Sequence, residues 1–343
     1  MITVIIAGGS GTRLWPLSTP EYPKHLLKLT DERTMVQQAY DRAAKLGDVY
    51  VVTELSHAGH VKQQLPELSE EAFFIEPGRR GTGQCLVFAL DILSRIRDKD
   101  EPIAFMHSDH HVRDIEGFVR SFQLAAEVSK RQNEVTLIGV EPTIPATGFG
   151  YIERDGMLEA AGGVSRVRSF KEKPDFETAQ QYLVSGKYLW NCGYFIGSYN
   201  IFMQEIERCS PELQTSSRRL AAIKSYPSKE YEDAYLSLEP AIIDYALSER
   251  SKNLAVVSAT FDWADVGSFK DLHEVVERDE KENYSYGQNI HTLEVENTYI
   301  RNEESKPIAV IGLDNIVVVN TPQGILIARK DVSQRVGEIA KTL

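Results

Sequence analysis

The chain has 343 residues, 42% hydrophobic and 26% charged, enough apolar material for one large domain plus a smaller one. A formal net charge of -12 argues against a general nucleic-acid or anionic-membrane binder, so a polyanionic substrate would have to meet basic side chains gathered locally. The three scattered cysteines make neither a disulfide framework nor a structural zinc site, and no stretch approaches the roughly 20 apolar residues of a membrane span; a soluble, cytoplasmic protein is expected.

In chain order, Ile2 to Ala7 reads as a strand and not as a signal peptide, because no basic segment precedes it. Strand-like runs follow at Val49 to Thr53, Ala72 to Ile75, Pro102 to Met106 and Val135 to Val140. Helical patterns fall between them, at Met35 to Leu46, Cys85 to Ile96 and Phe118 to Lys130. This alternation predicts an α/β fold, a Rossmann-like parallel sheet with helices on both faces. From Gly148 to Ile196, short strands with turns at Asp155-Gly156 and Gly162-Gly163 predict an inserted β-rich lobe over the sheet edge. Helical sequence returns at Ile201 to Arg208 and at Pro240 to Glu249. The charged, apolar-free run Arg278 to Asn283 reads as a linker. Beyond it, Pro307 to Gly312, Ile316 to Asn320 and Ile325 to Ala328 read as strands of a small β module, with a helix-like tail after Asp331. The expected division is a large domain over 1–277 and a small β domain over 284–343.

The strongest chemical signal is the loop after the first strand, Ala7-Gly8-Gly9-Ser10-Gly11-Thr12-Arg13-Leu14, with Tyr22-Pro23-Lys24-His25 downstream. A parallel sheet binds ligands at the carboxyl ends of its strands. Glycines there let backbone N–H groups approach phosphate oxygens, while Arg13 and Lys24 supply the positive charge that the acidic chain otherwise lacks. A dinucleotide fingerprint starting at Gly9 would need a third glycine at Leu14, and no Gly-Lys-Ser/Thr closes a P-loop. A tight turn alone would account for the glycines, but not for an Arg and a Pro-Lys on the same short segment.

These motifs resemble the signature of the sugar nucleotidyltransferases. The run from Ala7 to Leu14 continued by Trp15-Pro16-Leu17-Ser18 is particularly similar to the mannose-1-phosphate guanylyltransferase branch. The resemblance implies a three-layer catalytic domain followed by a short left-handed β-helix that helps form a homodimer. It also implies GTP and mannose 1-phosphate as substrates, Mg²⁺ as cofactor, and nucleotide contacts at Ala7, Gly8, Gly9, Gly11, Thr12, Arg13 and Lys24.

Later segments keep the resemblance in order. Phe105-Met106-His107-Ser108-Asp109-His110-His111 ends an apolar strand with an acid, a sensible place for a Mg²⁺ ligand, and Asp109 stands where the family's Pro-Ala-Asp-His has its aspartate. His107, Asp109 and His111 also alternate as they would on one strand face, which leaves a zinc or iron site open. Trp263-Ala264-Asp265-Val266-Gly267-Ser268 resembles the family's Trp-x-Asp-Val-Gly-Ser, making Asp265 the second metal ligand, although Asp-x-Gly-Ser also reads as a helix-start turn. Phe170-Lys171-Glu172-Lys173-Pro174 matches Phe-x-Glu-Lys-Pro; with Gly148 of Thr147 to Ile152 and Asn191 of Trp190 to Phe195, the resemblance assigns Glu172 and Lys173 to the sugar phosphate. Cys192 stands where a serine is usual, and Ile242 replaces the serine of Ser-Ile-Asp-Tyr-Ala in Ile242 to Ala246, a segment that by itself reads as a buried helix. The clearest departure is Arg80-Gly81-Thr82-Gly83-Gln84 against the family's Arg-Asn-Thr-Ala-Pro: Arg80 and Thr82 match as nucleotide contacts, and the others do not.

A phosphate monoester is already largely dianionic at pH 7, so sugar-phosphate attack on a triphosphate needs no general base. The expected site is therefore a metal plus basic groups, with Arg13, Lys24, Asp109 and Asp265 as its catalytic set. A different sugar or base, or a non-catalytic nucleotide-sugar sensor, remain alternatives.

Overall fold

The computed structural model describes residues 1–9, 11–159 and 163–343; Ser10 of the glycine loop and Gly162 of the expected Gly162-Gly163 turn lie outside the described residues. The chain forms two compact units, one of Met1–Ala7, Ala39–His107 and Val112–Trp263, the other of Gly8–Gln38, Ser108–His111 and Ala264–Leu343. Among the described residues, no helix is long and apolar enough to cross a membrane.

Strands are numbered along the whole chain. The first unit contains β1 (Ile2–Ala7), β2 (Asp48–Glu54), β3 (Phe73–Glu76) and β4 (Pro102–His107); β5 (His110–His111) belongs to the second unit. The first unit continues with β6 (Val135–Val140), β7 (Tyr151–Glu159), β8 (Val164–Lys171), β9 (Tyr188–Ser198) and β10 (Leu254–Ser258). These nine strands form one sheet in the order β3-β2-β1-β4-β9-β6-β10-β8-β7. Ile2, Val4, Ile5 and Ala7 of β1 are fully buried, as a central strand covered on both faces requires. The helix Thr82–Ile96 is buried from Gly83 to Leu93, which matches its nearly unbroken apolar run.

The expected α/β class is present, but the sheet is mixed. Strands β1 to β4 are parallel, and β10 is parallel to β6, whereas β9 runs antiparallel to both β4 and β6. The β7–β8 hairpin joins the same sheet, β8 against β10 and β7 against β9, so the stretch expected to be an inserted lobe over the sheet edge extends that edge itself. Side-chain alternation is the same in both strand directions; only the route of the connection sets the direction. Pro240 to Glu249, expected to be helical, yields one π-helical turn at Asp244–Ser248, while the helices Pro211–Ala221 and Lys229–Leu236 were not anticipated.

In the second unit, β5 pairs antiparallel with β11 (Ala264–Asp265). The strands β12 (Tyr284–Gly287), β13 (Ile290–Leu293), β14 (Tyr299–Asn302), β15 (Ile308–Ile311), β16 (Ile316–Thr321) and β17 (Gly324–Arg329) follow. β12, β14 and β16 stack in parallel, as do β13 and β15, which gives successive coils; β17 closes the stack antiparallel to β16. All six residues of β16 are buried. Its alternation explains why: Ile316 and Val318 join Val295, Ile300 and Val310 inside the coils, while Val317 and Val319 pack with Leu14, Leu17, Phe269, Leu272 and Val336 on the other side.

The charged run expected to be a linker is instead an ordered turn, in which the Asp279 carboxylate accepts from the N–H groups of Lys281 and Asn283. Glu282 of this turn accepts from His273, whose Nε2 lies 2.9 Å from its carbonyl oxygen. The Lys330 ammonium sits 2.9 Å from His273 Nδ1 and donates to the Asn297 carbonyl at 3.0 Å. An ammonium has no acceptor, so Nδ1 accepts and the imidazole is neutral. Burial and then the Lys330 charge push the His273 pKa down to about 4.

Because the unfolded chain protonates His273 near 6.5, well above the folded value, stability is lost as pH falls from about 6.5 towards 4. We expect His273 to account for about 3 kcal/mol of that loss. Denaturant unfolding at pH 7 and pH 4.5 should show His273→Gln losing less stability on acidification than the native chain; parallel losses would exclude this origin.

Candidate active site

β1 delivers the fully buried Ala7 to the glycine loop. Gly9 (φ 109°) and Gly11 (φ 60°) lie in the left-handed region that favours glycine. A Cβ on Gly11 would stand 2.8 Å from the Lys24 backbone nitrogen, whereas no described atom lies within 4 Å of one built on Gly8 or Gly9. Gly11 therefore permits the close approach of the loop to Lys24, and Gly8 and Gly9 leave open space beside their backbone. Thr12–Leu14 is a 3₁₀ turn, and Arg13 on it is exposed, with Nη1 donating to Gln334 Oε1 at 3.3 Å.

Lys24 is the electrostatic centre of the second unit. Its buried ammonium lies 2.8 Å from Asp109 Oδ2 and 3.2 Å from Asp265 Oδ1, and donates to the Val266 carbonyl at 3.1 Å. Burial pushes its pKa down, but the two carboxylates outweigh burial and the net shift is upward. The acids meet because Asp109 directly precedes β5, and Asp265 of β11 pairs with His110 in the β5–β11 ladder. The helix-start turn is there as well: Ser268 Oγ accepts from Asp271 N at 3.3 Å and caps the helix Phe269–Val275. The two carboxylates that converge on this cation, with side chains 28% and 29% exposed, are hard oxygen donors of the kind Mg²⁺ takes.

The zinc or iron alternative fails on backbone geometry. β4 ends at His107, Ser108 and Asp109 form a turn, and β5 begins at His110, so His107, Asp109 and His111 do not alternate along one strand. Among the described residues, no group of three or more His, Cys, Asp or Glu side chains gathers as a metal cage.

Within the first unit, strand pairing brings together the segments assigned to the sugar phosphate. Tyr151 of β7 pairs with Lys171 of β8 and with Trp190 of β9, which draws Gly148, Glu172, Lys173 and Asn191 into one neighbourhood. Glu172 is buried and lies 3.2 Å from the exposed Lys173 ammonium. It also lies so close to Gly150 that a Cβ there would stand 2.5 Å from Glu172 Oε2. Lys173 adopts φ 44°, and its N–H donates to the Phe149 carbonyl at 3.2 Å. No described atom lies within 4 Å of a Cβ built on Gly148. Asn191 is oriented on both sides: Nδ2 donates to Asp244 Oδ1 at 2.8 Å, and Oδ1 accepts from Gly193 N at 3.1 Å. Burial, and then the charge of Glu172, push the Asp244 pKa up to about 7.

The divergent segment has a structural explanation. Gly83 N donates to the Ala241 carbonyl and Ala241 N to the Arg80 carbonyl, each at 2.9 Å. Ile243 N donates to Thr82 Oγ1 at 3.1 Å, and Gln84 Nε2 to the Glu239 carbonyl at 2.8 Å. A Cβ on Gly81 (φ 84°) would stand 2.3 Å from the Ala241 carbonyl oxygen, so an asparagine there would drive the two segments apart. The Arg80 guanidinium donates to the Leu236 carbonyl, with Nε at 3.0 Å. Arg80 and Thr82, expected at the nucleotide, thus have polar groups engaged with 236–243. Asp244 is visible in the sequence only as part of the Ser-Ile-Asp-Tyr-Ala resemblance and carries no role there, because it sits in an apolar run that by itself looks like buried helix.

The chain matches the family model described as Nucleotidyl transferase over residues 2–282, and the MannoseP isomerase/GMP-like beta-helix domain over 288–343. It is 32% identical over 359 residues to the mannose-1-phosphate guanylyltransferase of Escherichia coli, covering 100% of this chain and 75% of that one. It is 34% identical over 351 residues to the xanthan biosynthesis protein XanB of Xanthomonas campestris pv. campestris (strain B100), covering 100% of this chain and 73% of that one. A solved mannose-1-phosphate geranyltransferase structure from Thermus thermophilus superposes with a TM-score of 0.88 at 26% identity, over 99% of this chain and 98% of that one. With family models matched over nearly its whole length, relatives about a third identical across all of this chain and this constellation of acids and glycines, the chain belongs to the mannose-1-phosphate guanylyltransferase family of nucleotidyl transferases.

Proposed function

We propose that the chain transfers a guanylyl group from GTP to mannose 1-phosphate, giving GDP-mannose and pyrophosphate, as a cytoplasmic homodimer. The observation that carries this reading is the convergence of Asp109 and Asp265 on Lys24 beside a glycine loop with an exposed Arg13. An oxygen of the sugar phosphate attacks the α-phosphorus; the new P–O bond forms as the bond to the β-phosphate oxygen breaks, and pyrophosphate leaves. Asp109 and Asp265 would hold Mg²⁺, which would supply charge neutralisation for the reacting phosphates. The open backbone at Gly8 and Gly9 receives phosphate oxygens, with Arg13 and Lys24 as the cationic partners of the triphosphate. Lys173 pairs with the sugar phosphate, while Glu172 and Asn191 accept and donate to ring hydroxyls. Exposed Ile311, Ile325 and Ile327 on the β-helix domain supply apolar surface for the dimer. The engagement of Arg80 and Thr82 with 236–243 supports a second reading, in which another base replaces guanine.

Asp109→Asn and Asp265→Asn should each lower turnover by at least about a hundredfold, roughly 3 kcal/mol of barrier, with the fold retained by circular dichroism. EDTA should abolish activity and added Mg²⁺ restore it; full activity in either variant removes that residue from the site.

Lys173→Ala should chiefly raise the KM for the sugar phosphate, whereas Arg13→Ala and Lys24→Ala should impair triphosphate use and kcat. Steady-state kinetics decides this: a Lys173→Ala enzyme with a raised KM for the triphosphate alone would reverse the assignment.

A site built to hydrogen-bond guanine rejects bases that leave its polar groups unpaired. Across a matrix of GTP, ATP, UTP and dTTP in a pyrophosphate-release assay, GTP should lead in kcat/KM by at least about tenfold, or about 1.4 kcal/mol. If another triphosphate leads, the second reading replaces the first.

A further inference from the structure

The segment Pro240 to Ala246 is a motif to which the proposed chemistry assigns no role, and its acid accepts a hydrogen bond from Asn191. Asp244 opens the π-helical turn Asp244–Ser248 and is half-buried, while its neighbours Ile243 and Ala246 are buried. π turns inside helices recur at functional sites because the widened ring re-aims a side chain. The backbone behind Asp244 is held by the Thr82 hydroxyl on Ile243 and by the Ala241 bonds to Arg80 and Gly83, so this carboxylate is placed by fixed main chain.

Two acids share that neighbourhood. Glu172 is buried and close enough for its charge to be among the main causes of the raised Asp244 pKa, and Asp244 itself is half-buried. Holding two carboxylates together away from water is unfavourable unless something donates to them. The described partners meet part of that demand: Asn191 and the Asp244 backbone N–H donate to the Asp244 carboxylate, and Lys173 pairs with Glu172. Vicinal hydroxyls of a sugar ring carry the donors that such a pair lacks. Asn191 contributes through its fixed orientation. With Nδ2 directed to Asp244 and Oδ1 to Gly193 N, it has one remaining N–H and one remaining lone pair, a donor and an acceptor in known positions.

We propose that Asp244 is a specificity-determining residue of the sugar subsite: it locks the Asn191 amide in one orientation and, beside Glu172, offers a carboxylate oxygen to a hexose ring hydroxyl. The proposal rests on the assignment of Glu172 and Asn191 to the sugar phosphate, and it extends that subsite by an element from a third part of the chain. Asp244→Asn keeps the shape but lets the 244 side chain donate as well as accept, so the Asn191 amide is held from one side only, by Gly193 N. A hydroxyl-reading site loses discrimination when a buried partner changes from acceptor to donor.

The test is steady-state kinetics of Asp244→Asn with mannose 1-phosphate, its C2 epimer glucose 1-phosphate, and 2-, 3- and 4-deoxy analogues. We expect KM for mannose 1-phosphate to rise at least about tenfold, KM for GTP to stay within about twofold, and the preference over at least one epimer or deoxy analogue to shrink by about tenfold. A purely structural role would move both KM values together or lower the melting temperature without changing preference, and either result overturns the proposal. Glu172→Gln and Asn191→Ala are measured alongside. If these raise the sugar-phosphate KM and Asp244→Asn does not, Asp244 alone is excluded; if none of the three does, the sugar subsite assignment itself falls. Should Asp244→Asn fail to fold, Asp244→Ser, which leaves the backbone bonds of Ala241 and Ile243 in place, is judged by the same criteria.

Discussion

The second unit is organised around one buried ammonium held between two carboxylates. Lys24 ties together the glycine loop that follows β1, the turn that follows β4, and β11 near the start of the C-terminal part. Asp109 and Asp265 would repel each other without a cation between them, and Lys24 buried without them would carry an uncompensated charge. Each group thus offsets part of the cost of the others. A site that accepts a divalent cation in the course of its chemistry needs the same arrangement of negative charge, and the lysine satisfies it in the structure described.

A second constraint is steric. The divergent Arg80 to Gln84 segment looks, beside the family pattern, like a loss of nucleotide contacts. In the structure it is a close-packed junction, in which Gly81 and Gly83 make room for the Ala241 carbonyl and Gln84 reaches Glu239 with a side-chain N–H that proline lacks. The replaced residues thus sit against 236–243, the stretch that leads into Asp244. What reads in one dimension as two unrelated departures, one near residue 81 and one near residue 242, is a single contact in three.

Much of the fold was legible because local patterns reflect local burial. The buried run of β1, the apolar helix after Gly81 and the β runs from Ile308 onward follow directly from period and composition. The loop was legible for a related reason: glycines at Gly9 and Gly11 meet a positive φ that other residues avoid, and that requirement shows in the sequence itself. The helices Pro211–Ala221 and Lys229–Leu236 were not seen, since their buried residues are spread among charged ones and only tertiary contact with the core picks out the apolar face. The charged turn at Asp279 to Asn283 hid its order because its stability comes from hydrogen bonds to backbone, which composition does not record.

The sequence by itself determined the α/β class, the glycine loop, the acids at Asp109 and Asp265 and the family to which they point, because each depends on residue type at a short spacing. Only the tertiary structure decided the direction of β9, the fate of Arg80 and Thr82, the engagement of Asp244 with Asn191, and the neutral state of His273 beside Lys330. These depend on which distant segments share a ladder or a buried pocket. Hydrogen bonds and charge interactions act over a few ångströms of space and are indifferent to distance along the chain, so no local pattern of residues could announce them.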